Sequence, residues 1–342
     1  MKMKRLLLVC VFVFVMASQA FAFHGVRWEI KAPASSNLVI YQNNLLFGDV
    51  SGTFYAVNKS NGSIVWTNAG EGTIIGTPAV AGDKVIFAKS DGGIMCLKLA
   101  DGSKVWDYTP GTTFNESVND GVTIGDGLAF VVKADAKLYA LDVNTGRTVW
   151  TFQADEQGLR TAPAYSDGLV FLGEYNGILN IIDAKTGKRV NGGGAGGAIN
   201  TPAVNGGNVY FSSWDGSVQS FQIKAVIPQW NVNIKDTVTT TPVVGDGIIA
   251  VGTGRGFVAA LSEKDGSLLW NVNCENGSVS AKPIVANGKV FATPEGGNIY
   301  EIDAKSGRVR NTYETGGIIS APAYADGVIY FSSGGNVAAL SE

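Results

Sequence analysis

The stretch PAVAGDKVIFAKSDGGIMCLKLADGSKVW, residues 78–106, alternates apolar and polar positions with a period of two and is broken at short intervals by turn residues. A strand starts at Pro78-Ala79-Val80 and turns at Gly82-Asp83, and Lys84 to Ala88 run extended into Asp91-Gly92. Ile94 to Leu97 follow, Asp101-Gly102 turn, and Lys104-Val105-Trp106 close the unit. Four short strands joined by Gly, Asp and Asn turns form one antiparallel meander. No helical stripe competes with it. Glycine, at 45 of 342 residues, stands at about twice its usual share, which suits many tight turns with left-handed positions.

Working outward, the same unit recurs about every 40 residues, eight times if the two ends of the chain are counted as one unit. Trp66, Trp106, Trp150, Trp230 and Trp270 mark its last strand, and Val190 and Val309 are assigned to the same register. Phe47, Phe87, Phe130, Phe171, Phe211, Ala250, Phe291 and Phe331 are assigned to a second column. Pro78, Pro163, Pro202, Pro242, Pro283 and Pro322 open the first strand, where a missing N–H removes no ladder bond. Units this short cannot bury an apolar face alone, so they must stack or close into an array.

The ends decide between those two outcomes. After Pro322 the chain supplies Val328 to Phe331 and Asn336 to Leu340, but no fourth strand follows. Gly25-Val26-Arg27-Trp28-Glu29-Ile30 precedes the first full unit and carries the tryptophan that the last unit lacks. Residues 24–31 paired with 336–340 complete the eighth sheet and close a ring, whereas an open array would leave two sheet edges exposed. The sequence therefore predicts an all-β, eight-bladed β-propeller of four-stranded antiparallel blades, closed by its N-terminal strand.

Residues 1–22 are set apart as a secretory signal peptide, leaving one propeller domain over 23–342. Met1 to Arg5 carry three positive charges, Leu6 to Met16 are apolar, and Ala20-Phe21-Ala22 is a small-x-small cleavage site. The apolar run falls short of the roughly 17 to 25 residues that a spanning helix needs, and no later run is long enough either. Export places the mature chain in the periplasm, at the periphery of the outer membrane or outside the cell. Loss of the leader leaves 23 Lys and Arg against 29 Asp and Glu, a balance that argues against a nucleic-acid partner. Cys96 and Cys274 remain, in units far apart, and are expected as two separate thiols. Stability then rests on core packing.

The turn segments ALDVNTGRTVW (140–150) and IDAKTGKRV (182–190), with weaker copies at 261–270 and 302–308, resemble the pyrroloquinoline-quinone-type repeat proteins. In that family eight sheets form a propeller held by tryptophans docking at the outer edge of each blade. The resemblance assigns this docking role to Trp28, Trp66, Trp106, Trp150, Trp230 and Trp270. It extends over essentially all of residues 24–342, and it implies either of two kinds of function. Quinone-dependent alcohol and sugar dehydrogenases belong to the family; so do non-enzymatic propellers such as the scaffold subunit of the outer-membrane β-barrel assembly machinery. The dehydrogenases are usually longer, with inserts that cover the cofactor, and the alcohol-oxidising branch commonly has adjacent cysteines. Here the two mature cysteines are 178 residues apart and the units carry no large insert. The favoured expectation is a non-catalytic exported scaffold without a cofactor, binding a protein partner such as an envelope assembly component. The alternatives are a dehydrogenase using pyrroloquinoline quinone with calcium, and a carbohydrate-binding module.

In a propeller the connections between blades share one face with the turns between second and third strands. That face gathers Asp49, Asp91, Asp135, Glu174, Tyr175, Trp214, Asp215, Arg255 and Glu295, together with Phe114 and Glu116 of the longest connection, Asp107 to Asn119. Long irregular loops are the favoured contact surface, because regular turns suffice for folding. Trp214 stands where other units place small or charged turn residues, which makes it a candidate anchor for a partner or a ring for stacking. Arg255 offers a bidentate donor for a carboxylate. Asp215, Glu174, Tyr175, Phe114 and Glu116 complete the candidate set. Gly252-Thr253-Gly254 and Gly192 to Gly197 are glycine-rich, but no βαβ helix follows to hold a phosphate. His24 is the only histidine, which excludes a His-based metal site or triad, and no compact Asp-x-Asp-x-Asp loop signals calcium.

Overall fold

The computed structural model describes residues 25–109, 121–133, 135–154, 158–159, 161–225, 227–275, 277–317 and 321–341. The expected leader, His24, Phe114 and Glu116 lie outside them. The described strands form eight four-stranded antiparallel sheets. Blades one to seven occupy residues 39–68, 74–108, 122–153, 164–194, 203–233, 243–273 and 284–314, each a meander in chain order. Blade eight joins residues 323–341 to the N-terminal strand Val26–Lys31. That strand is outermost and runs antiparallel to Asn336–Ser341, with Trp28 opposite Ala339 and Lys31 opposite Asn336. The ring is thus closed by ladder hydrogen bonds within one sheet. No helix among the described residues is long and apolar enough to cross a membrane.

Both faces of every blade are buried, because each lies between two neighbours. The buried side chains fall into eight apolar clusters, one at each interface between blades. This packing corrects the single aromatic column expected from the sequence. Phe130, Phe171, Ala250 and Phe291 pair with Ala140, Ile181, Ala260 and Glu301, whose outer-strand partners are Trp150, Asn191, Trp270 and Asn311. Phe47, Phe87, Phe211 and Phe331 stand one residue further along and so point to the opposite face. Phe171 of blade four and Phe211 of blade five accordingly share one interface, as do Phe291 and Phe331 between blades seven and eight.

A β-bulge interrupts the pairing of third and fourth strands in all eight blades. In blade three, Leu141 faces Thr148 but Ala140 faces Trp150, so Val149 is the extra residue and is turned into solvent. The same geometry corrects the register of two positions. Val190 is the bulged residue of blade four and Val309 precedes the bulge of blade seven, so the tryptophan positions there belong to Asn191 and Asn311. Proline also needs one correction. Pro163, Pro202, Pro242, Pro283 and Pro322 stand immediately before their inner strands, but Pro78 lies inside Ile74–Ala81. A register break between Ile75 and Ala79 makes room for it there.

At six interfaces an outer-strand tryptophan reaches over the next blade. The indole N–H groups of Trp28, Trp66, Trp106, Trp150, Trp230 and Trp270 donate to the carbonyls of Lys59, Leu99, Val143, Ala184, Glu263 and Ala304, at 2.8 to 3.3 Å. Each ring lies on the glycine of the same turn. At Gly187 a Cβ would stand 2.6 Å from the Trp150 ring, and its φ of +71° favours glycine as well. The neighbouring side chains shape that turn: Asp183 Oδ1 accepts the Thr186 N–H and hydroxyl, at 2.7 Å each. Cys96 and Cys274 are buried free thiols, and burial pushes both up to about 12.

Candidate functional site

The connections entering the blades pair with the second turns of those blades, as in the isolated bridges Ala34↔Asp49, Leu159↔Glu174, Ile199↔Ser213 and Val238↔Thr253. This places the irregular loops on one face. Many of its acidic side chains serve the loops themselves. Asp49 Oδ1 accepts the backbone N–H groups of Ser51 and Thr53, and its Oδ2 accepts the Tyr55 hydroxyl. Asp135 Oδ2 accepts the Tyr139 hydroxyl at 2.6 Å. Above that pair, buried Lys133 holds its Nζ 3.9 Å from the Tyr108 ring centroid and 4.7 Å from that of Tyr139, and burial lowers its pKa to about 8. Nothing in the sequence distinguishes Lys133, because only the fold brings these two rings over it.

Three of the candidate residues, Tyr175, Trp214 and Arg255, come together as an exposed patch across blades four, five and six. Tyr175 and Trp214, 41% and 47% exposed, meet edge to face with ring centroids 5.5 Å apart. The Trp214 indole N–H donates to Asn200 Oδ1 at 3.3 Å, and Asn200 Nδ2 is fixed in turn by the Ser212 hydroxyl and the Val238 carbonyl. Trp214 is therefore oriented by a buried amide while its ring remains in water. A shallow groove beside it is lined by Asp215, Asn233, Lys235, Asp236, Thr237 and Arg255. Arg255 Nε donates to Asp236 Oδ1 at 2.9 Å and its Nη2 to the Lys235 carbonyl at 2.8 Å. These two bonds orient the guanidinium while two thirds of the side chain, 67%, stays exposed.

Asp215 and Glu174 sit differently. Asp215 Oδ2 accepts the Gly196 N–H and its Oδ1 accepts the Ser217 N–H. Partial burial opposes its charge, but these donors outweigh it and hold the carboxyl below the usual range. Glu174 is only 1% exposed, with Asn180 Nδ2 on its Oε1 at 2.5 Å, so it lies beneath the patch. Nothing in the sequence marks Asn200, Lys235 or Asp236. The first orients Trp214 and the others hold Arg255, and no spacing rule links residues that meet only across a strap.

Inner strands and the connections that lead into them line a funnel of about 780 Å³. Its lining is rich in Ser, Thr and Asn, including Asn37, Thr77, Thr123, Asn200 and Thr240, with Lys282 and Glu295. Calcium beside a quinone calls for converging oxygen ligands, yet Glu295 is the one carboxylate among the described residues that line the funnel. Nowhere among the described residues do three His, Cys, Asp or Glu side chains converge. Cys96 and Cys274 are enclosed between blades, away from the funnel. The donor set does not fit a quinone–calcium pair.

A model for PQQ-type repeats, described as outer membrane protein assembly factor BamB, matches residues 24–113, 92–225 and 215–342. Outer membrane protein assembly factor BamB of Yersinia pestis is 21% identical over 287 residues, covering 79% of this chain and 71% of that protein. Tetrathionate hydrolase of Acidithiobacillus ferrooxidans is 23% identical over 267 residues, 70% of this chain and 53% of its own length. Among solved structures, BamB from Moraxella catarrhalis superposes with a TM-score of 0.80 at 18% identity, covering 94% of this chain and all of that one.

Proposed function

Because the chain belongs to the PQQ-type repeat family described as outer membrane protein assembly factor BamB, we propose that it is a non-catalytic propeller scaffold of the cell envelope. It acts in the assembly of outer-membrane proteins and holds a protein partner on its loop-bearing face. The observation that carries the site is the exposed Tyr175–Trp214 pair, oriented from below by Asn200 and bordered by Arg255. A fixed aromatic surface loses little conformational entropy on binding, and an arginine with free donors at its rim selects for a carboxylate. Phe114 and Glu116 of the long connection belong to the same proposal on the strength of the sequence alone. Asp215 and Glu174 support the surface from within.

Co-purification from host envelopes tests this directly. The intact protein recovers outer-membrane assembly components, and Trp214→Ala reduces that recovery while preserving the fold. Recovery unchanged by Trp214→Ala removes the proposed surface. Quinone- and Ca²⁺-dependent dye reduction with an alcohol or sugar would overturn the non-catalytic assignment.

A further inference from the structure

We infer that the interface between blades four and five is a seam at which the ring opens, with outer strand Arg189–Gly194 parting at the perimeter while the loop-bearing face acts as the hinge. Six of the eight interfaces carry the tryptophan-on-glycine pin, and the two without it lie between blades four and five and between seven and eight. In both, the tryptophan position holds asparagine, and each asparagine turns back on its own strand. Asn191 Oδ1 accepts the Gly192 N–H and Asn311 Oδ1 accepts the Thr312 N–H. The receiving turn has changed as well. In blade five it reads Gln222-Ile223-Lys224-Ala225-Val226, without glycine, and in blade eight the turn is replaced by the two ends of the chain.

The two unpinned edges are not equivalent. Blade seven's outer strand, Val309–Glu314, is stapled to its own sheet: Tyr313 donates to Glu301 Oε2 at 2.8 Å, Lys289 pairs with Glu301 Oε1 at 2.8 Å, and Arg310 pairs with Asp303. Blade four's strand ends in Gly192-Gly193-Gly194, which have no side chains to pack and lose the most backbone freedom on pairing. Among the described residues Arg189 reaches only the Asn191 carbonyl, at 3.4 Å. The aromatic contact is reversed here, with Phe221 of blade five lying over Gly193 of blade four, where a Cβ would stand 3.1 Å from the ring. Phe221 has no indole N–H to bond a carbonyl across the interface.

The face end of the same interface is held. Gln219 Nε2 donates to the Gly194 carbonyl at 3.1 Å, Gly196 N–H to Asp215 Oδ2 at 2.8 Å, and Tyr175 meets Trp214 across it. An interface fixed at one end and unpinned at the other opens about the fixed end, and local opening of this kind is read by amide hydrogen exchange.

The test is hydrogen exchange on the intact mature chain, with protection normalised to unfolded rates. Residues 189–194 should show at least tenfold less protection than 148–153 and 309–314; equal or greater protection overturns the seam. Tyr313→Phe should lower the protection of 309–314 without affecting 189–194. In an Asn191→Trp/Val226→Gly variant, which sets tryptophan in the outer-strand position and glycine four residues before Trp230 as in the other units, protection of 189–194 should rise at least tenfold. A folded double variant with unchanged protection there would show that the missing pin is not the cause, and would likewise overturn the inference.

Discussion

The perimeter between blades three and four and the perimeter between four and five are adjacent products of the same repeat, yet they are held by opposite means. At the first, Trp150 reaches forward onto Gly187 and bonds the Ala184 carbonyl at 2.9 Å. At the second, the tryptophan position is Asn191, the receiving turn lacks glycine, and Phe221 reaches backward onto Gly193. Within this one chain tryptophan and glycine are present together or absent together. That follows from geometry: an indole cannot lie on a turn that carries a Cβ, and a glycine turn without the indole leaves a void.

The largest effect that would break the comparison is loss of the clasp. Deleting residues 25–31 removes the eighth outer strand and the Trp28 pin together, so stability should fall by roughly 5 kcal/mol or more, or about 10 °C in Tm. Deletion of a comparable number of exposed loop residues provides the control, and equal melting temperatures would refute closure by the N-terminal strand. Next comes the contrast between pinned and unpinned edges. Trp106, buried with its N–H on Val143 at 3.0 Å, should cost about 3 to 5 kcal/mol as Trp106→Ala in denaturant titrations. Trp150 is only partly buried and should fall below that range. Asn191→Ala should stay within about 0.5 kcal/mol.

Gly187→Ala sharpens the same contrast from the other side. A Cβ there meets the Trp150 ring and adopts an unfavourable φ, so a cost of about 1 to 3 kcal/mol is expected. In a Trp150→Ala background the steric share should vanish, leaving about 1 kcal/mol of backbone strain; strict additivity would show that the two residues do not act as a pair. The smallest effect on stability belongs to the face. Trp214→Ala should cost less than about 1 kcal/mol in unfolding while weakening partner binding about tenfold, or 1.4 kcal/mol. Unfolding as easy as that of Trp106→Ala would make Trp214 a packing residue.

Much of the architecture was legible because its signals are local. Turn pairs such as Gly82-Asp83 and Asp101-Gly102 delimit strands wherever they occur, and the split between Trp28 and the last three strands follows from counting strands. The bulge before each tryptophan was not legible. It adds one residue without changing composition, so repeat spacing alone points to Val190 in place of Asn191 and merges two faces of aromatic residues into one column. On the candidate surface, Trp214 and Arg255 stood out by type, but nothing in their spacing revealed Asn200 beneath one or Asp236 beside the other.

By itself the sequence determined the number of blades, their four-stranded meanders and the closure of the ring, because turn chemistry and a two-residue period act between near neighbours in the chain. The tertiary structure alone decided which face each aromatic residue covers, which glycine receives each indole, and that Glu174 is buried while Tyr175 is exposed. The physical reason is that a side chain reverses direction with every residue of a strand. One bulge therefore redirects everything beyond it, and its partners lie some 30 to 40 residues away on a neighbouring sheet that only the closed ring brings into contact.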